Sequence, residues 1–297
     1  MLEHLRRAAL RARPGGVRVV VLALSSAVVY GASDFLGGLA SRRAPVHGVV
    51  AVSQVAGVTA LLVLLPWLGG PVSGADLAWG AASGVAGAAG LLVFFRALAG
   101  GVMSVVAPVT AVTAAAVPVL GGLLGGERIG PWATAGIVLA LLAVVLVSAE
   151  GGLSALRSAA PGSLAPALVA GVAFGCFFVL LDRTGDDTGL TPLVAARAAS
   201  IVLVLLVARA GRRPLRISRA SAPLVLTSGL GDMTANALFL LATQEGGDLA
   251  IVGVLASLYP VSTVVLAQVL LRERLVPAQL AGLVAAVAAV VLITAPA

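Results

Sequence analysis

Six polar side chains stand inside long apolar runs of this sequence. Asp34 lies in VVYGASDFLGG, Gln54 in AVSQVAG, Arg197 in LVAARAASIVL, Asp232 and Asn236 in LGDMTANALF, and Tyr259 in ASLYPVS. A charge at the centre of an apolar helix costs about 2.5–3.5 kcal/mol in a membrane, so such groups turn toward the bundle interior or a water-filled cavity. Asp232 and Asn236 are four residues apart and share one helix face. Arg197 lies in the preceding run and can meet Asp232. The pair then either locks two helices or handles substrate or protons. An isolated Asp in low dielectric binds its proton more tightly and can cycle it, whereas a paired one stays ionised. Asp34 has Tyr30 one turn before it and Ser33 beside it. It either lines a polar cavity or pairs near the interface with Arg42 or Arg43. Ser53 and Gln54 either serve a substrate or bond across helices.

Three prolines add hinges to this chemistry. Pro260 follows Tyr259, and Pro108 and Pro118 share one earlier run. Each removes a backbone donor and kinks a helix, which exposes carbonyls and makes these positions candidate gates. The chemistry of an enzyme is harder to assemble. His4 lies in a basic tail and His47 in a predicted loop. The single cysteine, Cys176, sits in apolar AFGCFFVL as a small core residue. No nucleophile–base pair or His/Asp metal cluster is apparent in the sequence. Neither a nucleotide-binding P-loop nor any other cofactor motif occurs, so no cofactor is expected.

The elements that position these residues are membrane spans. The chain has 297 residues, 60% hydrophobic and 10% charged, with a mean hydropathy of +1.11. Soluble domains carry about 25% charged residues. Every backbone group in hydrocarbon must be paired within the structure, which leaves helices or closed barrels, and continuous apolar runs favour helices. Ten are predicted, at about 17–38, 47–68, 77–98, 102–124, 131–149, 164–181, 190–208, 222–243, 249–271 and 277–295. Each crosses a core roughly 30 Å thick at 1.5 Å per residue. Gly80, Gly84, Gly87 and Gly90 give the third a small face for close packing. All 19 basic residues are arginine, which fits genome base composition better than nucleic-acid binding.

One helix ending is written twice. LGGLLGGERIGPWATAG at 120–136 and LAQVLLRERLVPAQLAG at 266–282 are 146 residues apart, and 18 of 50 positions match between 100–149 and 246–295. Glu127 and Glu273 precede Pro131 and Pro277. Proline favours a first helical turn and a carboxylate there complements the helix dipole. The organisation is a basic tail at 1–16 and two five-helix units at 17–149 and 164–295. Five is odd, so the second unit enters from the opposite face. The fold class is therefore an all-α membrane protein of ten transmembrane helices in two inverted repeats, an architecture of secondary transporters with a midplane site.

On these endings, and on GASDFLGGLASRR at 31–43, GLGDMTANALFLLA at 229–242 and SLYPVSTVVLAQVLLRERL at 257–275, the chain resembles the EamA-type branch of the drug/metabolite transporter superfamily. The resemblance implies a transporter of a small metabolite or drug in the cytoplasmic membrane, most members being exporters and some importers. The partners expected are a small-molecule substrate and the lipid bilayer, with no nucleic acid; protons are a further partner if the protein is a proton-coupled antiporter and not if it is a facilitator or exchanger. A channel or lipid scramblase is the runner-up, and a membrane-embedded enzyme stands behind both. Thr113-Ala114 occupies the place of Tyr259-Pro260, so the substrate-facing surfaces of the halves differ. The resemblance also implies cytoplasmic termini, with Arg6, Arg7, Arg11, Arg13 and Arg18 inside. The loop arginines Arg209, Arg212, Arg213, Arg216 and Arg219 argue for the reverse orientation.

Overall fold

The computed structural model describes residues 16–100, 103–148, 161–271 and 275–295. Most of the basic tail, Arg274 and Glu273 therefore lie outside the described residues. Eleven helices follow in order: α1 Gly16–Ser41, α2 Val46–Leu68, α3 Gly74–Gly100, α4 Met103–Leu124, α5 Pro131–Ser148, α6 Pro161–Leu181, α7 Thr191–Ala210, α8 Ala222–Gln244, α9 Leu249–Ala256, α10 Tyr259–Leu271 and α11 Pro277–Thr294. Among the described residues nine spans are long and apolar enough to cross a membrane, with α9 and α10 together making one. The tenth is α4, which contains a shorter apolar segment, Val109–Leu124. His47, expected in a loop, stands instead in the first turn of α2, because Pro45 opens that helix at Val46.

The ninth span is broken rather than kinked. Ser257 and Leu258 form a turn, and α10 restarts at Tyr259. In an unbroken helix the Pro260 ring would meet the carbonyl one turn back and leave it without a donor. In the second position of a new helix it costs little. The Ser257 hydroxyl donates to the Gly253 carbonyl at 2.7 Å and helps to close α9. The equivalent helix α4 runs unbroken through Pro108 and Pro118. Pro118 is buried, and its ring lies where a Cβ on Gly253 would come within 2.5 Å. The side chain of Pro108 lies outside the described residues.

Contacts between helices come in pairs that exchange when the halves are swapped. α1 packs on α8 as α6 packs on α3; α3 meets α7 as α8 meets α2; α4 meets α6 as α10 meets α1. α5 against α11, α2 against α7 and α4 against α9 map onto themselves. This is the contact pattern of a two-fold axis between units of five spans, which lies in the membrane plane. Glycine makes the equivalent contacts possible. A Cβ on Gly84 of α3 would lie 2.7 Å from the Ala196 Cα of α7, and one on Gly229 of α8 would lie 2.7 Å from the Ser53 Cα of α2. Outward faces carry exposed Val and Leu, such as Leu142, Val284 and Val291, as a lipid-facing surface requires.

Candidate functional site

The paired glycine contacts explain how the central cluster forms. Ser53 is followed by Gln54, and Ala196 by Arg197. Gln54 and Arg197 are therefore equivalent positions of the two halves, and they meet where α2 crosses α7. Arg197 Nη1 donates to Gln54 Oε1, and Arg197 Nη2 donates to Asp232 Oδ2. The Arg197 side chain is 10% exposed and the Asp232 carboxylate 37%. Three helices, α2, α7 and α8, are thus joined by one guanidinium. Its charge is met by one carboxylate, as a charge in a low dielectric demands. Asp232 has no acidic twin: counting from Gly229 and Gly84, its counterpart on α3 is Gly87.

The remaining polar residues lie around this pair. Asn236 is buried, and its Nδ2 donates to the Asp232 backbone carbonyl at 2.6 Å. It holds its own helix rather than presenting a free amide. Asp34 is exposed, with no hydrogen bond or ion pair among the described residues, so the alternative of pairing with Arg42 or Arg43 is not what the structure contains. Asp232 lies within electrostatic reach of Asp34, and Asp34 within reach of Tyr30 and Tyr259. Tyr30 in turn lies within reach of Asp232, Arg197, Asp34 and Tyr259, and its buried hydroxyl has no partner among the described residues. Tyr259 is half-buried at the start of α10. Ser33 donates to the Ser228 carbonyl at 2.5 Å and fastens α1 to α8 beside Asp34.

The other half presents rings where this half presents polar groups. Gly31 packs on α10, where a Cβ would meet Thr263 N at 2.9 Å. Gly175 packs on α4, where a Cβ would meet Val117 Cγ1 at 2.9 Å. Thr263 and Val117 are 146 residues apart, which is the repeat offset. Tyr30, Ser33 and Asp34 therefore correspond to Phe174, Phe177 and Phe178. Phe178 meets Tyr30 edge-on at 6.2 Å, Phe177 at 5.2 Å and Phe239 at 4.4 Å. Phe174 and Phe177 fill the space left by Gly90 and Gly87 on α3.

The face of the molecule at which α1 begins is tied across the halves. Gly70 N–H donates to Thr188 O at 3.0 Å, the Thr191 hydroxyl donates to Gly70 O at 3.1 Å, and Gly185 N–H donates to Asp76 Oδ1 at 2.9 Å. Glu127 belongs to the same tie. Gly126, at φ +89°, ends α4 in a left-handed turn that only glycine adopts cheaply. This aims Glu127 away from the helix that follows it, and the dipole role expected at α5 is corrected. Its carboxylate instead accepts the Leu249 N–H at 2.6 Å and the Ala250 N–H at 3.0 Å, capping α9 of the other half. Asp248, the residue before α9, makes no side-chain cap there.

Comparison with known proteins agrees with this geometry. A family model described as the EamA-like transporter family matches twice, over residues 17–149 and 163–295. The chain belongs to the EamA-like transporter family. No curated protein matches the sequence significantly. One solved crystal structure superposes with a TM-score of 0.74, covering 93% of this chain and 96% of the other at 17% identity. At that identity the likeness shows the fold alone. As an EamA-like protein the chain is a multi-pass membrane transporter of the drug/metabolite transporter type, in a family of transporters rather than enzymes.

In this EamA-like chain the structure brings Gln54, Arg197 and Asp232 into direct contact. It places Asp34 within electrostatic reach of Asp232 and Tyr259 within reach of Asp34, and turns Asn236 back onto its own helix. Sequence reasoning noted Tyr30 one turn before Asp34 but did not count it among the site residues. The available signal was its spacing: one turn before an acid puts a hydroxyl on the same face.

Proposed function

We propose that this protein is a secondary transporter that exports a small metabolite or drug across the cytoplasmic membrane by alternating access. The units at 17–149 and 164–295 move against each other around Asp34, Gln54, Arg197, Asp232 and Tyr259, with Asn236 positioning Asp232. Both termini are cytoplasmic in this reading. The coupling ion is the proton, and the partners are a small-molecule substrate and the bilayer.

One observation carries the proposal. Equivalent helices of the two repeats are held in different conformations: α4 is continuous, whereas α9 and α10 are broken at Ser257–Leu258 beside the polar cluster. Two conformations of one repeated element are what an alternating carrier exchanges when it changes its open face. A channel has no need of the difference. Pro260 then serves as the hinge in the second half, and Pro108 and Pro118 supply the hinge in the first.

The test is flux in reconstituted vesicles against amino acids, sugars and organic cations, with and without an imposed pH gradient. The expected result is saturable movement of one class, accelerated by the gradient and abolished in Asp232→Asn when vesicles are matched for the amount of folded protein. Full transport by a well-expressed Asp232→Asn variant overturns the role given to that carboxylate. Flux no faster than in protein-free vesicles for every compound overturns the transport reading.

A further inference from the structure

The central cluster is unequal in charge as well as in shape. Arg197 already has partners in the protein: one terminal nitrogen donates to Gln54 and the other to Asp232, and the side chain is 10% exposed. A substrate carboxylate would have to compete with Asp232 for it. Asp232 is neutralised by the same contact. Among the described residues Asp34 then remains as an exposed carboxylate without a counter-charge, with the Tyr30 hydroxyl, likewise without a partner among them, one turn away. Among the described residues the positions that correspond to Tyr30, Ser33 and Asp34 carry no charge. They are Phe174, Phe177 and Phe178, with Phe178 against Tyr30.

We infer that the site takes an organic monocation with an aryl or comparable apolar body, its cation on Asp34 and its body against Phe178 and the rings beside it. This inference rests on the transport reading and names its substrate class. A bound cation supplies the counter-charge that Asp34 lacks among the described residues. The ring faces add cation–π and stacking attraction. An anion is repelled by Asp34, and its carboxylate, like that of a zwitterion, must compete with Asp232 for Arg197.

The test is equilibrium dialysis of the purified full chain with radiolabelled 2-phenylethylammonium, with L-phenylalanine and 3-phenylpropionate as competitors. The three share a ring and differ in charge. The expected order places the cation at least tenfold tighter than the other two. Asp34→Asn should weaken the cation by at least tenfold and Asp34→Glu should retain it. Asp34 has no partner among the described residues, so the isosteric change leaves the described packing intact. Phe178→Leu should also weaken the cation. The inference is overturned if the zwitterion or the anion binds as tightly, if none of the three binds, or if folded Asp34→Asn keeps full affinity, the result expected of a carboxylate that serves a proton alone. Saturable vesicle flux of another class would then leave transport standing and remove only the aryl-cation assignment.

Discussion

Removing either partner of the Arg197–Asp232 pair should not cost the same. Asp232→Asn leaves Arg197 charged, 10% exposed and bonded only to the neutral Gln54. An uncompensated buried charge of this kind costs about 3–5 kcal/mol. Arg197→Gln leaves Asp232, whose carboxylate is 37% exposed, so water replaces part of what is lost and the cost falls toward ~1–2 kcal/mol. At roughly 2–4 °C per kcal/mol, Asp232→Asn should lower the unfolding midpoint by about 6 °C or more. Arg197→Gln should lower it by only a few degrees. The double variant, which buries no lone charge, should lie above Asp232→Asn. The assay is built into the chain: Cys176 is its one cysteine and is half-buried, so a thiol-reactive fluorophore reports unfolding. Equal losses in the two single variants, or a double variant at the sum of both, would refute the reasoning. Either would mean that the charges are not compensating each other.

Three further outcomes follow from the packing. Glu127→Ala strips the Leu249 and Ala250 N–H groups of their acceptor and should cost about 1–3 kcal/mol, read as a lower midpoint in the same assay. Glu127→Gln, which keeps one acceptor, should recover part of it. Gly84→Leu, whose Cβ would meet Ala196 Cα at 2.7 Å, should prevent accumulation of folded protein, whereas Gly38→Leu, with nothing within 4 Å, should accumulate normally. A cysteine at exposed Ser218 should react with an impermeant reagent added outside cells, and one at exposed Gly74 should not, in a Cys176→Ser background; the reverse pattern would show that the loop arginines set the orientation.

Helix spans and their order are legible in this sequence because hydrocarbon leaves the backbone few choices, and each predicted run ends within a few residues of a helix. The Arg197–Asp232 contact is legible for a related reason: lone charges in spans need partners, and neighbouring helices supply them. The Gln54–Arg197 contact is not, because it depends on a register across the pseudo-two-fold axis that only the glycine approaches at Gly84 and Gly229 define. Pro260 announces a disturbance in the ninth span. Whether it kinks or breaks the helix depends on the Ser257 hydroxyl and on what packs there. Glu127 misled for a physical reason. A carboxylate near a proline at a helix start reads as a cap for that helix, but the positive-φ turn at Gly126 sends it to a helix more than a hundred residues away.

Countertransport tests the central claim most directly. Vesicles containing the purified protein are loaded with an unlabelled substrate and diluted into a trace of the same compound in labelled form. An alternating carrier predicts a transient overshoot, in which labelled compound accumulates above its outside concentration before decaying. The overshoot should be lost in Asp232→Asn. A monotonic rise to equilibrium with no overshoot, at a flux that does not saturate, would contradict the account and identify an open pathway between the two faces.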